Sequence, residues 1–347
     1  MKSTFKYSLS DEEINELGEF YSSCEIVTIE QHPQWRLSIE SHKNNCFFIG
    51  REEDRIVCSA VITETKKLGI KNASIDFGPL FKNPDMLIAS IGQIYEYYKS
   101  NRFTSLTIQL ALPTGSNSDY IEYKINKNLP VISLYDRNNW SSIVVDLSAD
   151  EDQLLRNMSK GHRSDIKKVQ KSSVTVTDDY TEDDFRSFIE VYIKMHRGRG
   201  LKEDDQGSSA YLNKIRSFFN LHGNGKFLFV KDASGTVLGG IVIIYQNKTV
   251  RYFKGAADPA CRNIPVLHLA IWQAMCISKQ NGFINFDLWG YNHFVNETDQ
   301  VFFINRFKKG FGGDFTFYPK KMYFIFNPMQ HKLYQIAQKL YHRSRKK

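Results

Sequence analysis

Two distant stretches of this chain follow one plan. Residues 46–58, CFFIGREEDRIVC, run apolar, charged, apolar, and residues 226–238, KFLFVKDASGTVL, do the same with Asp232 to Gly235 at the turn. Apolar runs on either side of a polar or glycine-bearing turn predict a β-hairpin. A third strand follows in each half, NASIDFGPL at 72–80 and TVRYFKGAADP at 249–259, each ending near a glycine and a proline. Next come helical stretches, DMLIASIGQIYEYYKSN at 85–101 and VLHLAIWQAMCISKQNG at 266–282, and then strands from Phe103 and Phe283. Cys46 and Lys226 stand 180 residues apart, Gly78 and Gly255 177, and Phe103 and Phe283 180. So steady an offset predicts a tandem duplication: two α/β modules of the α+β type, with mixed sheets, each built as hairpin, strand, helix, strand.

The modules are expected to join near 140–150, where SSIVVDLSADEDQLL passes from strand to helix. Ser148 with Glu151 there, Ser10 with Glu13, and Thr181 with Asp184 carry the spacing of capping boxes. This divides the chain into 1–145 and 146–319. At 347 residues each half can bury its own core. The cysteines at 24, 46, 58, 261 and 276 are odd in number and show no CxxC spacing, which fits a reduced cytosol. No run approaches a membrane span and the N-terminal MKSTFKYSLSDEE has no apolar signal core. The expected place is therefore the cytoplasm, with any membrane contact peripheral. A net charge of +8 favours anionic partners.

Several segments carry candidate chemistry. A predicted helix from Asp150 bears Lys160, Arg163, Lys167, Lys168 and Lys171, of which Arg163, Lys167 and Lys171 fall at i, i+4 and i+8. That cationic stripe suits phosphate groups, although a solvated face is the commoner origin of such a pattern. His162 and His196 continue apolar seams and read as packed core histidines. Arg197 and Arg199 follow at a helix end closed by Gly198 and Gly200, where anion binding and C-terminal capping are equally good readings. In NFDLWGYN, Asp287 lies within a strand and Gly290 at its end; Asp287 there either takes a proton or holds backbone amides.

NRFKKGFGGD, residues 305–314, sets two lysines among glycines, as a phosphate cradle would. No helix start follows its glycines, because DFTFYPKKMYFIF reads as strand. The expectation is a tight turn with Phe307 and Phe311 anchored in the core, Lys308 held at a cleft and Lys309 in solvent. The sequence contains no GxxxxGK[ST], GxSxG, HExxH or paired CxxC, which argues against a P-loop NTPase, an elbow-type serine hydrolase and a zinc enzyme. In MQHKLYQIAQKLYHRSRKK, Met329, Leu333, Ile336, Ala337 and Leu340 share one helical face, expected to dock on the protein with the polar face in solvent.

Four segments together resemble the FemABX family of aminoacyl-tRNA-dependent transferases that extend peptidoglycan precursors: NMSKGHRSDIKKVQKSSVTV (157–176), FKGAADPACRNIPVLHLAIWQA (253–274), FINFDLWGYN (283–292) and RFKKGFGGDF (306–315). The resemblance covers roughly 150–318 and is faint over the first 145 residues. It implies two tandem GNAT-like (N-acetyltransferase-like) modules, here without the helical coiled-coil arm of some members, and a C-terminal segment, 320–347, that packs back on the first module. It implies an acyltransferase that forms an amide on an amino group of a UDP- or lipid-linked muropeptide. The donor would be aminoacyl-tRNA, with no tightly bound cofactor and no metal. Phe307 and Lys308 match the family's Phe-Lys pair, whose lysine lies at the transferred carbonyl; Arg199 and Arg36 match phosphate-binding positions; Asp287 and Tyr291 line the same cleft. One departure bears on the donor. Acetyl-CoA-using GNAT enzymes hold pyrophosphate in an RxxGxG/A loop, whereas CRNIPVLH keeps Arg262 but has Pro265 and Leu267 in place of the glycines. The alternatives are an acyl-CoA N-acyltransferase acting on an amino sugar or another surface-polysaccharide component, and a non-catalytic tandem that binds glycan precursor or RNA.

Overall fold

The computed structural model describes residues 1–40, 43–67, 69–133, 141–198 and 205–344. The chain begins with β1 (Lys2–Lys6), α1 (Asp11–Ser23), α2 (Pro33–Ser38), β2 (Asn44–Glu52), β3 (Arg55–Lys67), β4 (Ile70–Ile75) and β5 (Leu80–Phe81). It continues with α3 (Pro84–Ser100), β6 (Ser105–Ile108), α4 (Ser116–Asn128) and β7 (Ile132–Ser133). Next come β8 (Ser141–Asp146), α5 (Glu151–Asn157), α6 (Lys160–Gln170), β9 (Thr175–Thr177), α7 (Glu182–Gly198) and α8 (Asp205–His222). These lead to β10 (Gly225–Lys231), β11 (Val237–Gln246), β12 (Thr249–Ala257), α9 (Val266–Gln280), β13 (Asn285–Asp287), α10 (Gln300–Lys309) and β14 (Asp314–Phe317). β15 (Met322–Ile325) and α11 (Pro328–Ser344) close the chain. Two compact units result, one formed by Met1–Asn139 with Phe317–Lys347, the other by Trp140–Thr316.

The two sheets have the same plan. In the first unit the order is β1-β2-β3-β4-β6-β15-β7, with β5 beside β3; in the second, read from the matching edge, it is β9-β10-β11-β12-β13-β8-β14. β4 runs parallel to β6, and β12 parallel to β13, each pair joined through a helix, α3 or α9. The antiparallel strand beyond that pair has a different origin in the two units. β15 pairs β6 after the chain has returned, whereas β8 pairs β13 before the rest of its sheet is made. SSIVVD therefore serves the second sheet.

Each core is the inner face of one sheet under its crossover helix. Phe48, Ile62, Ile75, Leu87, Ile91 and Ile108 are buried together in the first unit, and Leu228, Ile241, Val250, Ala270, Met275 and Phe286 in the second. At α1 the capping box forms: Ser10 Oγ accepts from the Glu13 amide at 3.3 Å and Glu13 accepts from the Ser10 amide at 3.0 Å. Thr181 and Asp184 do the same ahead of α7. The expected Ser148–Glu151 box does not form. Asp150 is the cap of α5, accepting from the Gln153 amide at 2.7 Å, while Ser148 bonds Asp146; a carboxylate one residue from the helix start displaces the hydroxyl.

The parallel pairs end differently. In the first unit the ladder runs on past β4 and β6: the Gln109 amide donates to the Ile75 carbonyl at 2.9 Å and the Gly78 amide to the Gln109 carbonyl at 3.0 Å. The Gln31 side chain fills the adjoining space, donating to the Asp76 carbonyl at 2.8 Å and accepting from the Val61 amide at 2.8 Å. In the second unit β12 and β13 pair only from Thr249↔Asn285 to Arg251↔Asp287. β12 then follows β11 through a bulge at Phe253, since Ile243 faces Tyr252 and Val242 faces Lys254. The chain after β13 follows β8 instead, with Leu288 bonded to Ile143 and Tyr291 to Ser141. A bulge bends the strand that carries it, so the two strands diverge.

α11 departs from expectation. Its half-buried residues are Gln330, His331 and Tyr334, while Met329, Leu333 and Ile336 are exposed. Among the described side chains of α11 the aliphatic ones point outward.

Candidate active site

The mouth of the divergence is built from β12, the turn after β13, and α10. Arg251 stands on the last paired rung opposite Asp287. Both are buried, Arg251 2% and Asp287 5% exposed, and Arg251 Nε lies 3.9 Å from Asp287 Oδ2. The guanidinium also stacks on the Trp289 ring, 3.5 Å from its centroid. Asp287 Oδ1 accepts from the Trp289 amide at 2.7 Å and from the Ser142 hydroxyl. These bonds hold Trp289 at φ 47 and Gly290 at φ 59, so two consecutive left-handed residues turn the strand end sharply. Burial raises the Asp287 carboxyl above the ordinary carboxylate range, against the pull of Arg251, Ser142, the Trp289 amide and Lys308. Asp287 thus works as the holder of the strand-end backbone.

That turn presents two carbonyls, and Lys308 takes both. Its Nζ donates to the Gly290 carbonyl at 2.9 Å and to the Trp289 carbonyl. Lys308 belongs to α10, which is capped by Asp299, whose carboxylate accepts from the Val301 amide at 2.8 Å. The sequence reading of this segment as turn alone is corrected here: the lysine rides on the last turn of a helix. Burial lowers its ammonium pKa from 10.5 to about 8, with Asp287 acting in the opposite direction. Lys309 is exposed.

The glycines that follow serve close packing. A Cβ at Gly310 would come within 2.0 Å of the His162 ring; at Gly312, φ 79, it would come within 2.8 Å of the Asn157 carbonyl, and at Gly313, φ 89, within 2.6 Å of the Val144 carbonyl. Phe311 is buried and Phe307 packs against the same core. His162 Nε2–H donates to the Phe307 carbonyl at 2.8 Å, and Nδ1 pairs with Ser159 Oγ at 3.1 Å. Its ring meets Phe311 and His268 edge-on, with centroids 4.6 Å and 4.4 Å away. Burial lowers the pKa of both histidines, that of His268 to about 4, where protonation would also meet the adjacent His162 imidazole unfavourably while Asp165 acts the other way. A neutral His162 matches its donor role, and it anchors the α10 turn that carries Lys308.

The other candidates fall elsewhere. Tyr291 is bridged through its backbone to Ser141, and its ring lies 4.9 Å from that of Phe315, next to the same turn. Arg163 leaves the basic stripe and donates to the Arg156 carbonyl at 3.0 Å and to the Met158 carbonyl, capping α5. Lys167 and Lys171 remain exposed, and Lys168 reaches the Asn263 carbonyl at 3.2 Å. Arg36 belongs to the first unit and is 1% exposed; it donates to the Glu30 carbonyl at 2.7 Å, to Thr63 Oγ1 at 3.3 Å and to Glu40. So enclosed a guanidinium has no face to offer a phosphate, which corrects its expected ligand role. Arg199 lies outside the described residues. Ahead of α9, Pro265 stands at the cap and the Val266 amide is bonded to the Ile264 carbonyl at 2.8 Å. Sequence reasoning passed over Arg251 and Trp289. The available signal was a cation inside the apolar run TVRYF, matched to an aspartate in the next parallel strand.

Comparison with known proteins bears on the fold. Residues 156–308 match the acetyltransferase (GNAT) domain family. No curated protein matches the sequence. Among solved structures, FemX superposes with a TM-score of 0.79 at 14% identity, over 96% of this chain and 99% of that one. A tandem GNAT protein from the clavulanic acid biosynthesis pathway gives 0.55 at 10% identity, over 94% and 99%. The C-terminal domain of a putative lysylphosphatidylglycerol synthetase from Agrobacterium fabrum gives 0.58 at 10%, over 95% and 96%. The chain has a FemABX-like tandem GNAT fold.

Proposed function

We propose that this protein is an acyltransferase that joins an amino acid, carried as its tRNA ester, to an amino group of an anionic cell-envelope precursor, a UDP- or lipid-linked muropeptide. The carrying observation is Lys308, a partly desolvated cation fixed by two backbone carbonyls where β12 and β13 part. The incoming amine attacks the ester carbonyl, the C–N bond forms, and the carbonyl oxygen becomes an oxyanion. Two of the three ammonium N–H groups are held by Trp289 and Gly290, which leaves the third for that oxyanion. A donor fixed beforehand stabilises the charged intermediate more than the neutral ester. Collapse breaks the C–O bond to the ribose, whose oxygen takes up the proton that the amine gives off. Arg251 and Asp287 act one step back, by setting the carbonyls that hold Lys308.

The resemblance to FemABX, the likeness of fold to FemX and the name of the Agrobacterium neighbour support aminoacyl transfer. The Pro265 cap, which offers no amide to a pyrophosphate, supports a donor other than acyl-CoA. The exposed Lys167 and Lys171 on α6 suit an anionic substrate. The clavulanic-pathway neighbour, a tandem GNAT protein described without AcCoA, keeps acyl-CoA as the rival donor. The test is donor discrimination: protein and UDP-linked muropeptide are incubated with labelled aminoacyl-tRNA or with labelled acetyl-CoA. Transfer from aminoacyl-tRNA is expected. Transfer from acetyl-CoA alone overturns the donor, and transfer from neither, with muropeptide still bound, returns the chain to a binding role.

A further inference from the structure

The C-terminal helix is inverted. Asn327 starts α11, its side chain accepting from the Gln330 amide at 3.1 Å, and Thr104 Oγ1 donates to Gln330 Oε1 at 2.8 Å. Gln330, His331 and Tyr334 form the half-buried side. Met329, Leu333 and Ile336, at i, i+4 and i+7, are 73%, 58% and 46% exposed. A surface helix in a globular protein turns its aliphatic stripe to the core. This one spends its polar residues on the protein and leaves the stripe to the outside.

Charge is distributed with the same bias. Residues 318–347 contain Lys320, Lys321, Lys332, Lys339, Arg343, Arg345, Lys346 and Lys347, and no aspartate or glutamate. These eight cations equal the net charge of the whole chain, +8, so residues 1–317 sum to zero. No helix among the described residues is long and apolar enough to cross a membrane.

We propose that α11 seats this protein on an anionic lipid bilayer, lying in the plane of the surface with Met329, Leu333 and Ile336 in the headgroup layer. Aliphatic groups gain by leaving water there, and the cations of the same segment are drawn to acidic headgroups, each contributing about 1 kcal/mol near the surface. RNA would use the cations and gain nothing from the aliphatic stripe. A second copy would bring like charge against like. The inference stands apart from the reading of the active site, and it would place the protein where lipid-linked substrates lie.

The experiment is flotation of the full chain with phosphatidylcholine vesicles, with and without phosphatidylglycerol, at low and high salt. Binding to the phosphatidylglycerol vesicles alone is expected, and weaker at high salt. Leu333→Asp/Ile336→Asp and, separately, Lys339→Glu/Arg343→Glu should each lower partitioning by roughly tenfold or more. Thermal unfolding of each variant checks that the fold persists; if the aspartates disturb it, Leu333→Gln/Ile336→Gln takes their place. No binding to anionic vesicles overturns the proposal. So does binding that the aliphatic substitutions leave unchanged, and so does tight binding to total tRNA that only the charge reversal removes, since that pattern belongs to an RNA surface.

Discussion

Lys308 carries the sharpest prediction. Its fall from 10.5 to about 8 corresponds to roughly 3 kcal/mol of bias against the charged form. The same desolvation strengthens the ammonium as a donor, because an oxyanion beside it competes with less water. At pH 7 about nine-tenths of the molecules carry the charge, and at pH 9 about one-tenth. If the cation stabilises the oxyanion, its contribution to the rate is flat below pH 8 and drops about tenfold for each pH unit above it. An unburied lysine would hold its contribution to about pH 10.

The assay is single-turnover transfer, followed for the wild type and for Lys308→Met. Both enzymes see the same acceptor amine and the same donor ester, so their rate ratio against pH cancels the titrations of the substrates and isolates Lys308 with the Asp287 carboxyl coupled to it. The ratio should be on the order of 10²–10³ at neutral pH and should decline through about pH 8. Lys308→Arg, if it fits, should lose the decline, since a guanidinium stays charged. A ratio that rises through pH 8 would mean the neutral amine acts as a base. A ratio near one at every pH removes Lys308 from the chemistry.

Four further outcomes follow from the same geometry. Arg36→Ala should cost about 2–4 kcal/mol in urea unfolding while leaving the acceptor KM unchanged, because it orphans buried acceptors; unaltered stability with a raised KM would restore the ligand role. Gly310→Ala should destabilise by about 1–3 kcal/mol, and His162→Ala in the same chain should relieve part of that loss, since the atoms nearest the added Cβ are those of the imidazole. Arg251→Met or Asp287→Leu alone should cost about 3–5 kcal/mol by leaving a buried charge without its partner, and the double substitution should cost less than the two singles together. Lys167→Glu/Lys171→Glu should weaken binding of the anionic precursor or tRNA and flatten its salt dependence, and unchanged binding across salt would make the stripe plain surface.

The duplication was legible because it repeats elements of two periods, strand and helix, at one spacing. The exchange of β8 and β15 was not. A six-residue strand such as SSIVVD names its burial and says nothing of which sheet needs an edge. α10 was missed for a related reason: Val301, Phe302, Phe303 and Ile304 are consecutive apolar residues, which give no helical period, and the glycines behind them draw the eye to a turn. Asp299 was the one start signal present. The role proposed for Lys308 does not turn on the change of element, because Phe307 and Phe311 anchor the segment and hold the lysine on either reading. Arg36 could not be judged from the sequence around it: Glu30 and Glu40 are near in the chain, but its enclosure also needs Thr63, which the fold brings beside it from β3.

The two sheets also explain why one duplicated fold carries one candidate site. A parallel pair with a crossover helix can end in two ways. If backbone pairing continues past the last rung, as Gln109 does with Ile75 and Gly78, the carbonyls and amides at the strand ends are consumed, and a side chain such as Gln31 can fill what is left. If a bulge turns one strand away, as Phe253 does in β12, those groups are released and something else must hold them. In the second unit Lys308 holds the two carbonyls, and Asp287 with Arg251 holds the turn that presents them. Removing the bulge should therefore matter as much as removing the lysine: Phe253 deletion would let β12 pair onward with the chain after β13, and the strand ends would no longer part beside Lys308. A variant that stays folded and loses transfer while keeping the Lys308 side chain would separate the parting of the strands from the charge beside it.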